Sequence, residues 1–464
     1  MIRMRNHKEG EATMARQSMK KLLLTLSIAA ALGASSGSVF ADGSSVEDLE
    51  ARIAELEALV QQLLNKPPAP AAPSSAEVEA AAQAAAEEKV NALMAEHKAI
   101  EAEKEHKHSY AFGGYVKLDM MYSDYDASYS GLGRDYYVPF TVPLSDGSGG
   151  ETYFDAHVKE SRINFKSTHN LDNGDKLGTF LEMDFHNSAQ GNEILSNSWS
   201  PRIRHAFFTY NNWLIGQTWW TFFNVGALPE NLDFIGPAES TVFGRQPMIR
   251  YTNGPWQFAI ENPETSVRGY EGNGRSAASG DNRIPDLVAR YNMSGDWGSF
   301  SVAGILRELR CDGCLAGVDD STSGYGLSLS GKHMIGARDD FRWMATFGSG
   351  LGRYLGTFLT DAAVADANGN LEAIDSWGAF ASFRHFWTDQ WRSNLTLGYS
   401  EVDNDTALTG DKVTSEASSI HVNLIYSPAP KLDFGVELMY ANREIESGAD
   451  GDLKRLQFSA KYAY

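Results

Sequence analysis

The sequence predicts an all-β transmembrane barrel of about 16 antiparallel strands, preceded by an N-terminal α-helical coiled coil. Three observations carry this reading. From Ser109 onward apolar and polar residues alternate with period two, in blocks of the length a tilted membrane strand needs. Turn residues separate the blocks, and no apolar run of about 20 residues occurs beyond the N-terminus, which argues against membrane helices. Gly (43), Tyr (19) and Trp (10) are plentiful, as turns and interfacial aromatic belts require.

The bulk composition agrees. Apolar residues make up 42% of the 464 and charged residues 22%, a soluble-looking balance. A barrel shares it, because each strand shows one face to lipid and the other to water. The net charge of −20 argues against a nucleic-acid partner.

Residues 1–41 read as an extension and an export signal. Arg16, Lys20 and Lys21 precede an apolar run from Leu22 to Ala34, and Val39 and Ala41 fit a signal-peptidase site. Cleavage after Ala41 leaves Asp42 as the mature N-terminus. Met1–Thr13 does not resemble a signal, so Met14 or Met19 is a candidate start. The destination implied is a Gram-negative outer membrane, with the next segments in the periplasm.

Residues 42–65 carry a heptad seam at Val46, Leu49, Ile53, Leu56, Val60 and Leu63, spaced 3, 4, 3, 4, 3. So short a helix is marginal alone, so the seam predicts self-association. Its β-branched positions favour a dimer, whereas the barrel that follows predicts a trimer; a lone amphipathic helix is the alternative. Residues 66–108 begin with a proline-rich linker, Lys66–Pro73, and continue as an Ala/Glu/Lys-rich helix. His106 and His108 near its end read as solvated side chains, not as a metal site.

Residues 109–464 are the barrel. In the first strand Tyr110, Phe112, Gly114, Val116, Leu118, Met120 and Tyr122 form the lipid face, and Lys117 and Asp119 the lumen face. Ile163 and Phe165, then Leu177, Leu181 and Met183, then Trp256, Phe258 and Ile260 continue the outward set. Leu171–Asp175, Asn253–Pro255 and Ser427–Lys431 read as short periplasmic turns, and 124–151, 264–281 and 360–375 as outer loops. At roughly 10 residues per strand plus roughly 12 per connection the segment holds about 16 strands, enough for an aqueous channel. A terminal strand ending in Tyr464 resembles the signal read by barrel-assembly machinery, where Phe is usual.

Pro201–Phe208, Gly348–Tyr354, Phe383–Trp387 and the tail from Ile420 to Tyr464 resemble the DcaP-like trimeric porins, as does a coiled coil ahead of the barrel. The resemblance implies a homotrimer of 16-stranded barrels in outer-membrane lipid, passing small, often anionic solutes such as dicarboxylates. Gly216–Asn224, Leu228–Phe234 and Gly244–Tyr251 also resemble the general-porin order of strand, acidic inward loop and Gly-Arg strand. That order places Glu230, Asp233 and Glu239 on a constriction loop and Arg245 and Arg250 on the wall, with Gln217 where general porins often carry Arg.

By strand parity Arg202 and Arg204 share a face with Ala206, Phe208 and Tyr210. A guanidinium in mid-membrane lipid costs about 2–4 kcal/mol, so this face is predicted to be lumenal and His205 to point outward. Arg162, Arg290 and Lys117 fall on polar faces by the same parity. Arginine suits carboxylate solutes because its planar fork makes bidentate hydrogen bonds. The competing reading has these arginines pair with lumen acids such as Asp119, Glu182 and Asp184.

Cys311 and Cys314 stand in a C-x-x-C without a second pair, so zinc is not indicated. In an exported chain they read as a small loop disulfide, with free thiols the alternative. Outside the export signal, where Gly33–Gly37 matches by composition alone, G-x-S-x-G does not occur, and H-E-x-x-H occurs nowhere, so no enzyme is indicated, and no cofactor or metal. Asp366–Asn370 departs from a calcium loop in its glycine position and later ligands. The function predicted is passive diffusion of small hydrophilic solutes, anions preferred. The alternative is a structural tether, its N-terminal helices reaching the cell wall and the barrel serving as anchor.

Overall fold

The fold is given by a computed structural model that describes residues 107–129, 134–186 and 191–464, with scattered helical positions between 54 and 94. The chain divides into two units, Met1–Ala95 and Glu96–Tyr464. In the first, Ala54, Glu57, Ala58, Gln61, Lys89, Val90 and Ala92–Met94 are helical and exposed. The signal segment, the seam from Val46 to Leu63 and the proline linker lie outside the described residues, as does His106.

The second unit is a closed antiparallel meander. Its strands are β1 (His108–Tyr125), β2 (in two segments, Glu151–His157 and Arg162–Asn170), β3 (Lys176–Asp184) and β4 (Arg202–Tyr210). Next come β5 (Trp213–Trp219), β6 (Arg245–Asn253), β7 (Trp256–Glu261) and β8 (Asp286–Gly295). They are followed by β9 (Gly298–Asp312), β10 (Asp319–Ile335), β11 (Asp339–Ser349) and β12 (Asp375–Phe386). The last four are β13 (Trp391–Asp403), β14 (Thr414–Ala429), β15 (Leu432–Ile445) and β16 (Asp450–Ala463). The two β2 segments share one stave, since both pair with β1, so the barrel has sixteen staves. β16 closes on β1 from Tyr115↔Ala463 to Tyr125↔Leu453. Closure removes every sheet edge, which a hydrocarbon solvent demands.

The alternation read from the sequence sets the outer surface. Phe112, Val116, Tyr122, Phe258, Leu306, Val436 and Leu438 are exposed, and lumen-facing neighbours such as Lys117, Asp119 and Glu437 are buried. Aromatics pair across neighbouring strands near the short turns: Trp213–Tyr251 at 4.7 Å, Trp256–Tyr291 at 4.6 Å and Trp391–Tyr426 at 4.5 Å between ring centroids. Such rings suit the membrane interface, with an apolar body and a polar tip.

Connections at one end are short. Gly254 and Pro255 alone join β6 to β7, with Gly254 in the left-handed region (φ 57°) that a two-residue hairpin requires. Long connections at the other end fold inward. Loop L3 (220–244) and the described parts of loop L1 (126–129 and 134–150) enter the lumen, joined by L4 (262–285) and L6 (350–374). The largest apolar cluster therefore sits inside the barrel. Trp220, Phe222 and Phe223 of L3 and Leu351, Tyr354 and Leu355 of L6 pack on Ile305, Met344 and Phe380 of the wall. Cys311 and Cys314 are joined by a disulfide at the outer end of β9. It lies under a small loop sheet formed by Val267–Arg268, Arg275–Ser276, Ala363–Ala365 and Leu371–Ala373.

Candidate solute pathway

L3 leaves β5 at Trp219, crosses the lumen and returns at Arg245. Buried backbone groups need partners, and the chain meets this need from the wall. Six wall side chains donate to carbonyls of L3 or of its base, Asn423 Nδ2 to Glu230 O at 2.8 Å among them. Arg250 Nη2 reaches Trp219 O (2.5 Å), Arg290 Nη1 reaches Phe223 O (2.6 Å) and Arg342 Nη1 reaches Leu228 O. Lys117 Nζ (2.9 Å) and Gln457 Nε2 (3.0 Å) both donate to Leu232 O. On the acceptor side, Glu437 takes the Leu232 amide at 2.8 Å and the Asp233 amide at 3.3 Å.

The three L3 acids do not form the open acidic face expected of them. Glu230 accepts from Arg392 through Nη2 (2.6 Å) and Nε (2.9 and 3.0 Å), and from Arg384 Nη1 (3.0 Å). Burial alone raises its carboxyl pKa, but the hydrogen bonds and charge of Arg392 and Arg384 outweigh this and hold it below the ordinary glutamate range. Asp233 is buried; it accepts from the Tyr137 amide of L1 (2.8 Å) and from the Ile235 and Gly236 amides of its own loop. Glu239 is fully buried and accepts from Ser419 Oγ at 2.8 Å. Glu230 and Glu239 fasten the loop to the far wall and Asp233 fastens it to L1, because a carboxylate taken out of water needs donors wherever it points.

The basic positions separate in the same way. Arg250, Arg290 and Lys117 point into the lumen, but they act as struts for L3 carbonyls. Pairing of β6 runs without a shift through Pro247, so no bulge flips Arg250. Arg204 faces inward yet is wholly covered, with Nε on Glu182 (2.8 Å) and Nη1 on Asp184 (2.7 Å), beneath the rings of Trp219 and Phe234. Arg162, Arg202 and Arg245 keep part of their surface open. Arg202 makes a bidentate pair with Asp184 (2.9 and 2.8 Å), and Arg162 lies 3.8 Å from Glu182. Arg245 has no carboxylate partner among the described residues; its guanidinium stacks on Trp219 at 4.4 Å. Both acids are buried behind the arginines. Four guanidinium groups thus face two carboxylates on this wall.

Simple parity fails in one place. β4 pairs with β3 as Glu182↔His205 and then Met183↔Ile203, so Arg204 is an extra residue, a β-bulge. Arg204 and His205 both enter the lumen, and Ala206, Phe208 and Tyr210 turn to lipid. His205 does not face outward as predicted; its Nδ1 lies 3.0 Å from Thr218 Oγ1. Gln217 is on the outer face, where its amide donates to Ile203 O (3.3 Å) and Arg204 O (3.4 Å) freed by the bulge. It is not a lumen position at all.

A family model for the DcaP outer membrane protein matches residues 77–464. The chain belongs to that family. The outer membrane channel DcaP of Acinetobacter baumannii is similar in fold, with a TM-score of 0.61 at 22% identity over 77% of this chain and 98% of that one. OmpT of Vibrio cholerae with loop L8 deleted gives 0.49 at 10% identity over 77% of this chain and 100% of that one. Salmonella typhi OmpF in complex with daunomycin gives 0.48 at 11% identity over 76% and 97%. No curated protein matches in sequence. As a DcaP-family barrel with a porin-like fold, the protein is an outer-membrane porin.

Several residues of this DcaP-family lumen escaped the sequence reading. Arg384 and Arg392 lie on the polar parity of β12 and β13, opposite Phe383 and Leu395, so alternation alone could have flagged them. Glu437 is flagged the same way, between Val436 and Leu438. The aromatic face that L3 turns to the arginines had no local signal. Tyr136, Phe234, Phe243 and Trp219 run in sequence at centroid distances of 5.4, 5.6 and 5.1 Å.

Proposed function

We propose that this porin is a passive diffusion channel that prefers small anions, dicarboxylates among them, and works as a homotrimer. The observation that carries the anion preference is the wall of Arg162, Arg202 and Arg245. Arg162 and Arg202 keep 22% and 26% of their side-chain surface open and Arg245 is half-buried, while Glu182 and Asp184 are buried beside them and Glu230 is held by Arg384 and Arg392 of the other wall. Charge near the narrow zone governs selectivity, because at physiological salt fields fade over about 8 Å. The −20 of the whole chain is spread over loops and the N-terminal segment and counts for little there. Planar forks offer a carboxylate paired hydrogen bonds, and the neighbouring acids keep those sites weak enough to release it.

The test is the reversal potential of the full-length protein in planar bilayers across a potassium chloride gradient. A potential of the sign set by chloride is expected. Cation preference in the wild type rejects the proposal and leaves the fold untouched. The trimer is read separately, from the mass of the detergent-solubilised assembly.

A further inference from the structure

The outer mouth holds a second group of arginines that the narrow zone does not include. Asp361 of L6 is buried, and two guanidinium groups of L4 close on it: Arg275 Nε at 2.8 and 3.1 Å, and Arg268 Nη2 at 2.9 Å. Both arginine side chains stay partly open, 34% for Arg275 and 25% for Arg268. Arg275 spends only its Nε edge on Asp361, and its two Nη groups have no acceptor among the described residues. Arg443, at the outer end of β15, stands within electrostatic reach of Arg268 and is held by Thr414 Oγ1 (3.0 Å) and Val142 O (3.1 Å). Two guanidinium groups therefore share one carboxylate, with a third in the vicinity.

The backbone around this group is built for it. Thr357 and Phe358 both adopt positive φ, 51° and 75°, which L side chains rarely accept without compensation. The turn they make sets the Phe358 ring 4.3 Å from the Arg275 guanidinium and edge-on to Phe140 of L1 at 6.1 Å. Cation–π contact and the Asp361 pair fix the Arg275 plane and leave its outer edge free. The pairing of Val267–Arg268 with Ala363–Val364 joins L4 to L6, so the arginines and their carboxylate move as one piece.

We propose that Arg268 and Arg275, seated on Asp361 and, for Arg275, on the Phe358 ring, form an outer binding subsite for small carboxylates, which captures the anion at the mouth before it reaches the Arg162–Arg202–Arg245 wall. The proposal rests on the anion-channel reading and adds a separate site to it. A fixed donor edge with excess positive charge raises the local anion concentration and the capture rate, an effect of tenfold or more for focused fields.

The experiment uses the full-length trimer in planar bilayers, with succinate added to one side at a time and the rate of current interruptions recorded. For Arg268→Gln/Arg275→Gln the interruption rate for succinate from the loop side should fall by on the order of tenfold. The rate from the short-turn side should hold. Arg275→Lys, which keeps charge but loses the planar fork, should fall between wild type and the double variant. Heat-modified gel mobility checks that each variant is folded. Equal loop-side rates in wild type and double variant, or an equal fall from both sides, overturns the outer subsite. The wild-type reversal potential separates the two levels: an anion-selective channel with unchanged loop-side rates loses only this subsite, whereas a cation-selective wild type loses the anion reading itself.

Discussion

Arg392 on the wall grips Glu230 on the constriction loop with both Nε and Nη2, at 2.6 to 3.0 Å across 162 residues of sequence. Arg384 adds a third donor nitrogen. The pair converts a loop acid expected at the pore rim into a latch. Replacing Arg392 with Gln should cost about 1.5–3 kcal/mol of that latch, the usual worth of a charge-assisted hydrogen bond. Loop opening should then be tenfold or more frequent, seen as added noise in single-channel current. A quiet channel in Arg392→Gln would show that the remaining L3 bonds hold the loop alone.

The same carboxylate sets a pH limit. Its folded pKa is depressed, so its contribution is fully present above the ordinary glutamate value and is lost as pH falls through the folded value. Between pH 5 and 8 current noise should be flat, and it should rise only in acid below about 4. Glu230→Gln should be noisy throughout. A wild-type transition already between pH 5 and 7 points to another group.

Selectivity and loop support reside in different arginines. Changing Arg202 and Arg245 together to Glu reverses the charge of groups that face the lumen, and should move the reversal potential by several-fold in permeability ratio towards cations. Arg250→Gln removes a strut beneath Trp219 and Thr221 instead. Its main effect should be on current noise, with a smaller shift in selectivity. The reverse ranking would mean that Arg250 faces the solute.

Just beyond its bulge, β4 packs closely against a glycine of β5. A Cβ at Gly216 would stand 2.4 Å from Ala206 O and 2.7 Å from Phe207 Cα, at a φ of +129°. Gly216→Ala should destabilise the barrel by about 2 kcal/mol or more and lower the yield of heat-modifiable protein. Gly304→Ala is the matched control, since only Gly326 O comes within 4 Å, at 3.9 Å. Similar yields for the two would show that the close approach at Gly216 does not limit barrel assembly.

The disulfide between Cys311 and Cys314 closes a loop too short to restrain much chain. Its entropic worth is at most about 2 kcal/mol. Replacing both residues with Ala should leave barrel assembly intact, while alkylation of the native protein labels thiols only after reduction. Free thiols in protein taken from the membrane contradict the bond.

What the sequence determined by itself was local in origin. Side-chain alternation with period two and turn residues act between near neighbours, so the strand number and the lipid face were legible in segments such as Tyr110–Tyr122 and Gly254–Pro255 without pairing partners, whereas the inward loop within Gly216–Tyr251 was legible only through its resemblance to general porins. The tertiary structure alone decided what each lumen charge does. Arg202 and Arg204 look alike along the strand, yet a bulge and the rings of Trp219 and Phe234 cover one and leave the other open. Glu230, Asp233 and Glu239 carried the signal of an acidic rim, but a loop crossing the lumen exposes buried amides and carbonyls that need partners. Arg250, Arg290, Arg342, Lys117 and Glu437 supply them from strands far apart in sequence. Those partners are chosen by barrel closure, and closure is a property of all sixteen strands at once.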